Sequence, residues 1–204
     1  MKLLVENWRE YLNEGEQQFQ IYCDMDGVLV DFVKAAVQTV NDDVADMSIP
    51  SRKETGGIKT IGRLRKALDE DANVKVKEFD WWTQLEWMPD GKQLWDYIKG
   101  FNPYILTAPM KKDGSREGKK AWVKNNLRLP SGNPPEKVFL NSKKYLYANV
   151  GSTSNILIDD MTKNTIPWND ASKDTGSVAI LHTSTADTIK QLEQILKKWT
   201  KRSS

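Results

Sequence analysis

The chain has few residues that could form disulfides or bind soft metals, and it has no apolar run long enough to cross a membrane. Its 204 residues include one cysteine, Cys23, and one histidine, His182. A single cysteine excludes an internal disulfide and a cluster of thiolate metal ligands. No run of about 18 apolar residues and no signal-peptide pattern occurs, so the sequence predicts no membrane-spanning helix. We therefore expect a cytoplasmic protein without a membrane partner.

A large charge of one sign is also missing. The 30 Lys and Arg residues nearly balance the 28 Asp and Glu residues, which leaves a formal net charge of +2. Such a weak overall field does not favour nucleic acid as a partner. The basic segment 59–77 also contains acidic residues, so we interpret it as a solvated helix. We expect no stable nucleic-acid complex, and the composition predicts no particular oligomeric state.

Two pairs of carboxylates follow short apolar runs far apart in the chain. Asp24 and Asp26 stand two positions apart, so on an extended segment both side chains point the same way. Gly27 then permits a sharp turn. Asp159 and Asp160 end a second apolar run. Because crowded carboxylates repel unless a cation or a proton lies between them, the two pairs together suggest a metal site.

Two further apolar runs, between these pairs, end in a hydroxyl and in ammonium groups. Thr107 ends the first run, and Lys143 and Lys144 follow the second. In isolation, the acidic pairs fit ordinary turns, the threonine fits a helix cap, and the lysines fit a solvated surface. In this order, however, the groups suit a phosphoryl group, whose oxygens need a metal, a donor and a cation.

The ordered set resembles the four motifs of the haloacid dehalogenase-like (HAD) phosphohydrolases, over roughly residues 19–182. The matching segments are Asp-x-Asp-Gly-Val, two apolar residues before Thr, then Lys, then Asp-Asp. Residues 81–91 and 105–123 are similar to the 5'(3')-deoxyribonucleotidase group. The resemblance implies a Mg²⁺-dependent phosphomonoesterase whose substrate is a small phosphorylated molecule, a nucleoside (deoxy) 5'-monophosphate.

The resemblance also implies roles for the acidic residues. Asp24 would attack phosphorus as the nucleophile, and Asp26 would protonate the leaving oxygen. Mg²⁺ would bind Asp24, the main-chain carbonyl of Asp26, and either Asp159 or Asp160.

The remaining motif residues would contact the substrate. Thr107 and the main chain of Ala108 would bind phosphoryl oxygens. Lys144 would stabilise the same oxygens, although Lys143 stays open as the alternative. In the deoxyribonucleotidases an aromatic residue stacks on the base, and the resemblance implies that role for Phe32. We expect Trp81 and Trp82 to lie toward the same pocket and to offer the base further stacking surface.

Helical spacing alternates with short strand-like runs from residue 89 onward, which is typical of a parallel α/β sheet with helices on both faces. We therefore predict a three-layer, HAD-like (Rossmann-type) parallel sheet with a small helical cap inserted after the first strand. One predicted helix covers 145–148. The predicted division is an N-terminal helix over 1–18, a core domain over 19–40 and 89–204, and a cap over 41–88.

Two alternatives stay open. One is a HAD phosphatase for another substrate, such as a sugar phosphate or a 3'-phosphorylated nucleic-acid end. The other is a non-enzymatic binding protein with the HAD fold, although the complete motif set argues against it.

Overall fold

The computed structural model describes five segments of the chain, which are residues 19–43, 78–110, 114–151, 154–172 and 175–203. The predicted N-terminal helix over 1–18 and most of the predicted cap lie outside the described residues. None of the helices in the described segments is long and apolar enough to cross a membrane.

The described strands form one sheet in which every neighbouring pair is parallel, in the order β3-β2-β1-β4-β5. The prediction of a parallel α/β sheet is confirmed. The chain moves from β1 outward to β3 and then crosses to β4, so β1 and β4 flank the point where the strand order reverses. The strands are β1 Phe19–Cys23, β2 Tyr104–Thr107, β3 Val138–Leu140, β4 Ser154–Asp159 and β5 Val178–Leu181.

Helices cover both faces of this sheet. One-turn 3₁₀ helices also occur, at Lys99–Phe101 and at Lys144–Tyr147. The second of these stands where the sequence predicts a helix over 145–148. The α-helices are α1 Phe32–Asp43, α2 Phe79–Thr83, α3 Gly91–Ile98, α4 Gly114–Asn126, α5 Thr162–Ala171 and α6 Thr185–Ser203.

Helix α5 is absent from the sequence prediction because its residues give little helical signal. Pro167 lies inside it, and proline removes one hydrogen-bond donor and disfavours a helix interior. The helix forms nonetheless because it buries Trp168, which is 0% exposed, against the sheet.

The alternation of side chains along the strands builds one hydrophobic cluster on each face. Ile21 and Cys23 in β1 face the larger cluster, whereas Tyr22 between them faces the smaller one with Leu157 and Trp168. Successive residues of a strand point to opposite faces. Since both faces are buried, the structure has the predicted three layers.

Helix α2 packs on the core, although the sequence places it in the cap. Trp82 is fully buried, and a side chain at Gly118 of α4 would collide with it. Trp122 of α4 donates a hydrogen bond from Nε1 to the Leu85 carbonyl at 2.8 Å. The last part of the predicted cap, from residue 78 to 88, therefore packs on the core.

Candidate active site

The carboxyl ends of β1 and β4 meet at one edge of the sheet, and two acidic motifs follow them. Cys23 of β1 pairs with Ile158 of β4 in register, and the Asp24 N–H donates to the Ile158 carbonyl at 2.9 Å. Asp24 and Asp159 therefore project beside each other. Open α/β sheets bind ligands at this edge, where the strand order reverses.

Three carboxylates form a compact cluster at that edge. Asp24, Asp159 and Asp160 each offer one oxygen, and these oxygens lie within 4.8 Å of one another. Burial, and then the charge of Asp24, raise the pKa of Asp159 to about 6, although Lys144 and Asn164 oppose the shift. Crowded oxygen donors of this kind fit Mg²⁺, a hard cation that selects carboxylates.

Lys144 lies inside this cluster, and Lys143 does not. The Lys144 Nζ is 2.7 Å from Asp24 Oδ2 and 2.6 Å from Asp159 Oδ2, and its side chain is buried. Burial lowers the pKa of Lys144, but the charges of Asp24 and Asp159 outweigh it, and the pKa is raised. Lys143 is exposed. Of the two lysines that the sequence leaves open, Lys144 is the one that lies beside Asp24 and Asp159.

The two carboxylates of the second pair have different surroundings. Asp159 Oδ1 accepts from Met161 N at 2.9 Å and from Asn164 Nδ2 at 3.0 Å, and its Oδ2 accepts from Lys144 and Asn164. Asp160 instead borders the open cavity and lies against Gly27, where any side chain would overlap its carboxylate. Gly27 also has φ +79°, a left-handed conformation that favours glycine.

Asp24 is held by two donors. Its Oδ1 accepts from the Met25 N–H at 2.7 Å, and its Oδ2 contacts Lys144. These contacts hold the carboxylate at the border of the cavity. The predicted nucleophile therefore has a fixed orientation.

A second buried lysine, Lys119, joins the first two motifs. Its Nζ is 2.5 Å from Asp26 Oδ2, 2.9 Å from Thr107 Oγ1 and 2.9 Å from the Ala108 carbonyl. The same Nζ lies 5.0 Å from the centre of a Trp82 ring, a cation–π contact. Lys119 thus orders Asp26, and it brings the hydroxyl of the buried Thr107 into the same network.

The sequence prediction omits Lys119, although a signal for it exists. Lys119 precedes Trp122 and Val123 by three and four positions, so it lies on the buried face of α4. A lysine on an apolar helix face needs a buried partner. That partner, Asp26, is 93 positions away, and only the folded chain supplies it.

Asp26 differs electrostatically from Asp24. Burial and the neighbouring Asp24 charge raise the pKa of Asp26, and the ammonium of Lys119 only partly opposes them. Its Oδ1 is buried and accepts no hydrogen bond from the residues that the structure describes. A carboxyl group with a raised pKa is suited to donate a proton.

A cavity of about 400 Å³ opens above Asp24 and Asp160. Ala108 and Lys144 also border it, so predicted site residues from all four motifs reach one space. Part of the cavity wall is apolar. That part consists of Phe32, Val33, Pro109, Met110 and Met161.

Only one of the three predicted stacking aromatics borders this cavity. Phe32 does so, and it stacks on Trp82 with ring centres 5.5 Å apart. Trp82 is 0% exposed and fills the core beneath Phe32, which corrects the prediction that it contacts substrate. Trp81 borders a separate depression of about 210 Å³ and donates from Nε1 to Thr39 Oγ1 at 2.8 Å. Trp82 supports Phe32, and Trp81 belongs to another surface.

The sequence matches no protein-family model and no curated protein. The fold does match solved structures. A hydrolase from Streptococcus pneumoniae TIGR4 is 11% identical, with a TM-score of 0.51, over 88% of this chain and 100% of that chain. A HAD family hydrolase from Deinococcus radiodurans R1, with bound phosphate and sodium, is 12% identical, with a TM-score of 0.52, over 88% of this chain and 97% of that chain.

This chain has the HAD-like fold, a parallel α/β sheet with helices on both faces. The fold class predicted from the motifs and the strand pattern is thereby confirmed. Neither of these two structures is described as a nucleotidase. The narrower resemblance to the deoxyribonucleotidases therefore stays a prediction.

Proposed function

We propose that this HAD-like protein is a Mg²⁺-dependent phosphomonoesterase that works through an aspartyl-phosphate. The observation that carries the proposal is the pairing of two differently held carboxylates at the end of β1. Asp24 is fixed by Met25 and Lys144 beside a carboxylate cluster, whereas Asp26 has a raised pKa and a buried oxygen without a described partner.

Each residue then has a defined task. Asp24 attacks phosphorus and forms an acyl phosphate as the bond from phosphorus to the leaving oxygen breaks, while Asp26 gives its proton to that oxygen. Asp26, now ionised, takes a proton from the water that hydrolyses the Asp24 acyl phosphate and releases inorganic phosphate. Lys119 holds Asp26 in place, and Lys144 compensates the charge of the phosphoryl oxygens.

Asp24, the main chain of Asp26, and Asp160 would hold Mg²⁺, which would neutralise charge between the nucleophile and a phosphoryl dianion. We assign the direct contact to Asp160 because it borders the cavity. Asp159 has both oxygens engaged by Lys144, Met161 and Asn164, so we assign it to orienting Lys144.

We further propose a nucleoside (deoxy) 5'-monophosphate as the substrate class. Phe32 presents an aromatic ring beside the apolar wall of the cavity, and it is stacked on Trp82 beneath it. A nucleobase gains roughly 1–3 kcal/mol from such a stacking contact. A sugar phosphate lacks a flat apolar face, so it would leave this wall without a matching group.

Phosphate release from a panel of nucleoside monophosphates and sugar phosphates tests the proposal, with Mg²⁺ and with chelator. Asp24→Asn should abolish release while the fold is retained, and Asp96→Asn, an exposed carboxylate paired with Lys99, is the control. Full activity in Asp24→Asn would exclude the aspartyl-phosphate mechanism. Faster hydrolysis of sugar phosphates than of any nucleotide would favour the other HAD phosphatases.

A further inference from the structure

A second cavity adjoins the one above Asp24. Its volume is about 380 Å³, similar to the 400 Å³ of the catalytic cavity. Pro109, Met110 and Ser142 border both cavities, so the two spaces share part of their wall. The second cavity is completed by Arg116, Leu140 and Asn141.

The polar groups of this second cavity are hydrogen-bond donors. Arg116 lies in the first turn of α4 and carries a permanently charged guanidinium. Asn141 uses Oδ1 to accept from the Lys143 N–H at 2.9 Å, which leaves its Nδ2 as a donor. Ser142 adds a hydroxyl. Donors that border one space, one of them a cation, favour an anionic ligand.

Arg116 differs from the other cations near the site. Lys119 and Lys144 each contact carboxylates of the candidate active site, and Lys120, on the same helix as Arg116, pairs with Glu117 at 3.0 Å. Among the residues that the structure describes, no carboxylate lies within ion-pair distance of Arg116. The second cavity is thus bordered by a cation with no carboxylate partner among those residues.

We propose that the second cavity binds a second phosphate of the substrate, which makes the preferred substrate a nucleoside bisphosphate. The inference rests on the proposed function and names the substrate class of the same site. One phosphate would occupy the position beside Asp24 and be hydrolysed, with water consumed and inorganic phosphate released. The other would remain esterified to the ribose and would be held by Arg116, since the guanidinium fork matches phosphate oxygens in pairs. The ribose would pass the shared wall at Met110 and Ser142.

The test compares kcat/KM for deoxyadenosine 5'-monophosphate and deoxyadenosine 3',5'-bisphosphate in wild type, Arg116→Ala and Lys120→Ala. We expect wild type to prefer the bisphosphate by about tenfold, the effect of one charged hydrogen-bonded contact. Arg116→Ala should remove the preference while changing monophosphate hydrolysis less than about twofold. Lys120→Ala, a basic residue one turn along α4 that borders neither cavity, should retain it.

Other outcomes separate the two proposals. Equal hydrolysis of both substrates by wild type, or an equal loss for both in Arg116→Ala, would overturn the second-phosphate site and leave the phosphomonoesterase standing. No phosphate release from either substrate would overturn both.

A 5'-phosphorylated dinucleotide tests whether the second phosphate belongs to a free nucleotide or to an oligonucleotide end. A preference that extends to it supports the site with an oligonucleotide end as ligand, and a preference for the bisphosphate alone supports the site with a free nucleotide.

A binding measurement avoids dependence on turnover. With Mg²⁺ and Asp24→Asn protein, calorimetric titration should show tighter binding of the bisphosphate than of the monophosphate, and adding Arg116→Ala should abolish the difference. Equal affinities in the Asp24→Asn protein would contradict the proposal.

Discussion

Replacement of Lys119 by methionine tests how much the hydrogen-bond network around Asp26 contributes to the stability of the fold. Methionine retains the length and apolar stem of the side chain but removes the ammonium that contacts Asp26, Thr107 and the Ala108 carbonyl. Lys119 is 0% exposed, so water cannot replace it without rearrangement. The three acceptors would then lose their common donor.

The size of the effect follows from burial. Removing one partner of a fully buried ion pair costs about 3–5 kcal/mol, because the other charge is left uncompensated. The Asp26 side chain is 28% exposed, which lets water recover part of that loss. We therefore expect Lys119→Met to lower the free energy of unfolding by about 2–3 kcal/mol. Lys120→Met on the same helix removes only an exposed pair and should cost less than about 1 kcal/mol.

Urea unfolding at neutral pH measures both variants. In the double variant Lys119→Met with Asp26→Asn, the buried charge is absent, so part of the lost stability should return. A positive coupling of about 1–3 kcal/mol between the two sites is the expected result. The reasoning is refuted if Lys119→Met is as stable as Lys120→Met, or if the two substitutions are additive.

Three further predictions concern the metal, the substrate and pH. Asp160→Asn should weaken Mg²⁺ binding in calorimetric titration more than Asp159→Asn, because Asp160 borders the cavity while Asp159 is engaged by Lys144. Phe32→Ala should raise KM for a nucleoside monophosphate far more than for a small phosphate ester, because only the nucleobase can stack. Burial raises the pKa of Asp90, but hydrogen bonds from Thr185 outweigh it, so the pKa is lowered. Its stabilising contribution is present above a pH of about 4 and is lost as pH falls through the folded pKa; Asp90→Asn should therefore reduce the drop in Tm on acidification.

Each of these predictions has an outcome that contradicts it. Unchanged Mg²⁺ affinity in both acidic variants would remove the second pair from the metal site. An equal rise in KM for both esters in Phe32→Ala would show that the ring does not meet a base. An identical acid-induced decline of Tm in wild type and Asp90→Asn would show that the contact with Thr185 does not govern the ionisation.

The motifs could be found from sequence because each depends on neighbours in the chain. Apolar runs that end in Asp24, Thr107 and Asp159 identify strand ends, and parallel strands bring their carboxyl ends to one edge of a sheet. The fold class and the position of the acidic cluster follow from that rule. No knowledge of side-chain packing is needed.

Contacts between distant residues decide the remaining features. Adjacent residues such as Lys143 and Lys144, or Asp159 and Asp160, have the same local chemistry, and only the fold buries one of each pair more deeply. Trp82 has an aromatic ring that suits a ligand, but α4 and Phe32 enclose it in the core. Lys119 gains its role from Asp26, because a buried ammonium requires a carboxylate that the sheet brings within 2.5 Å.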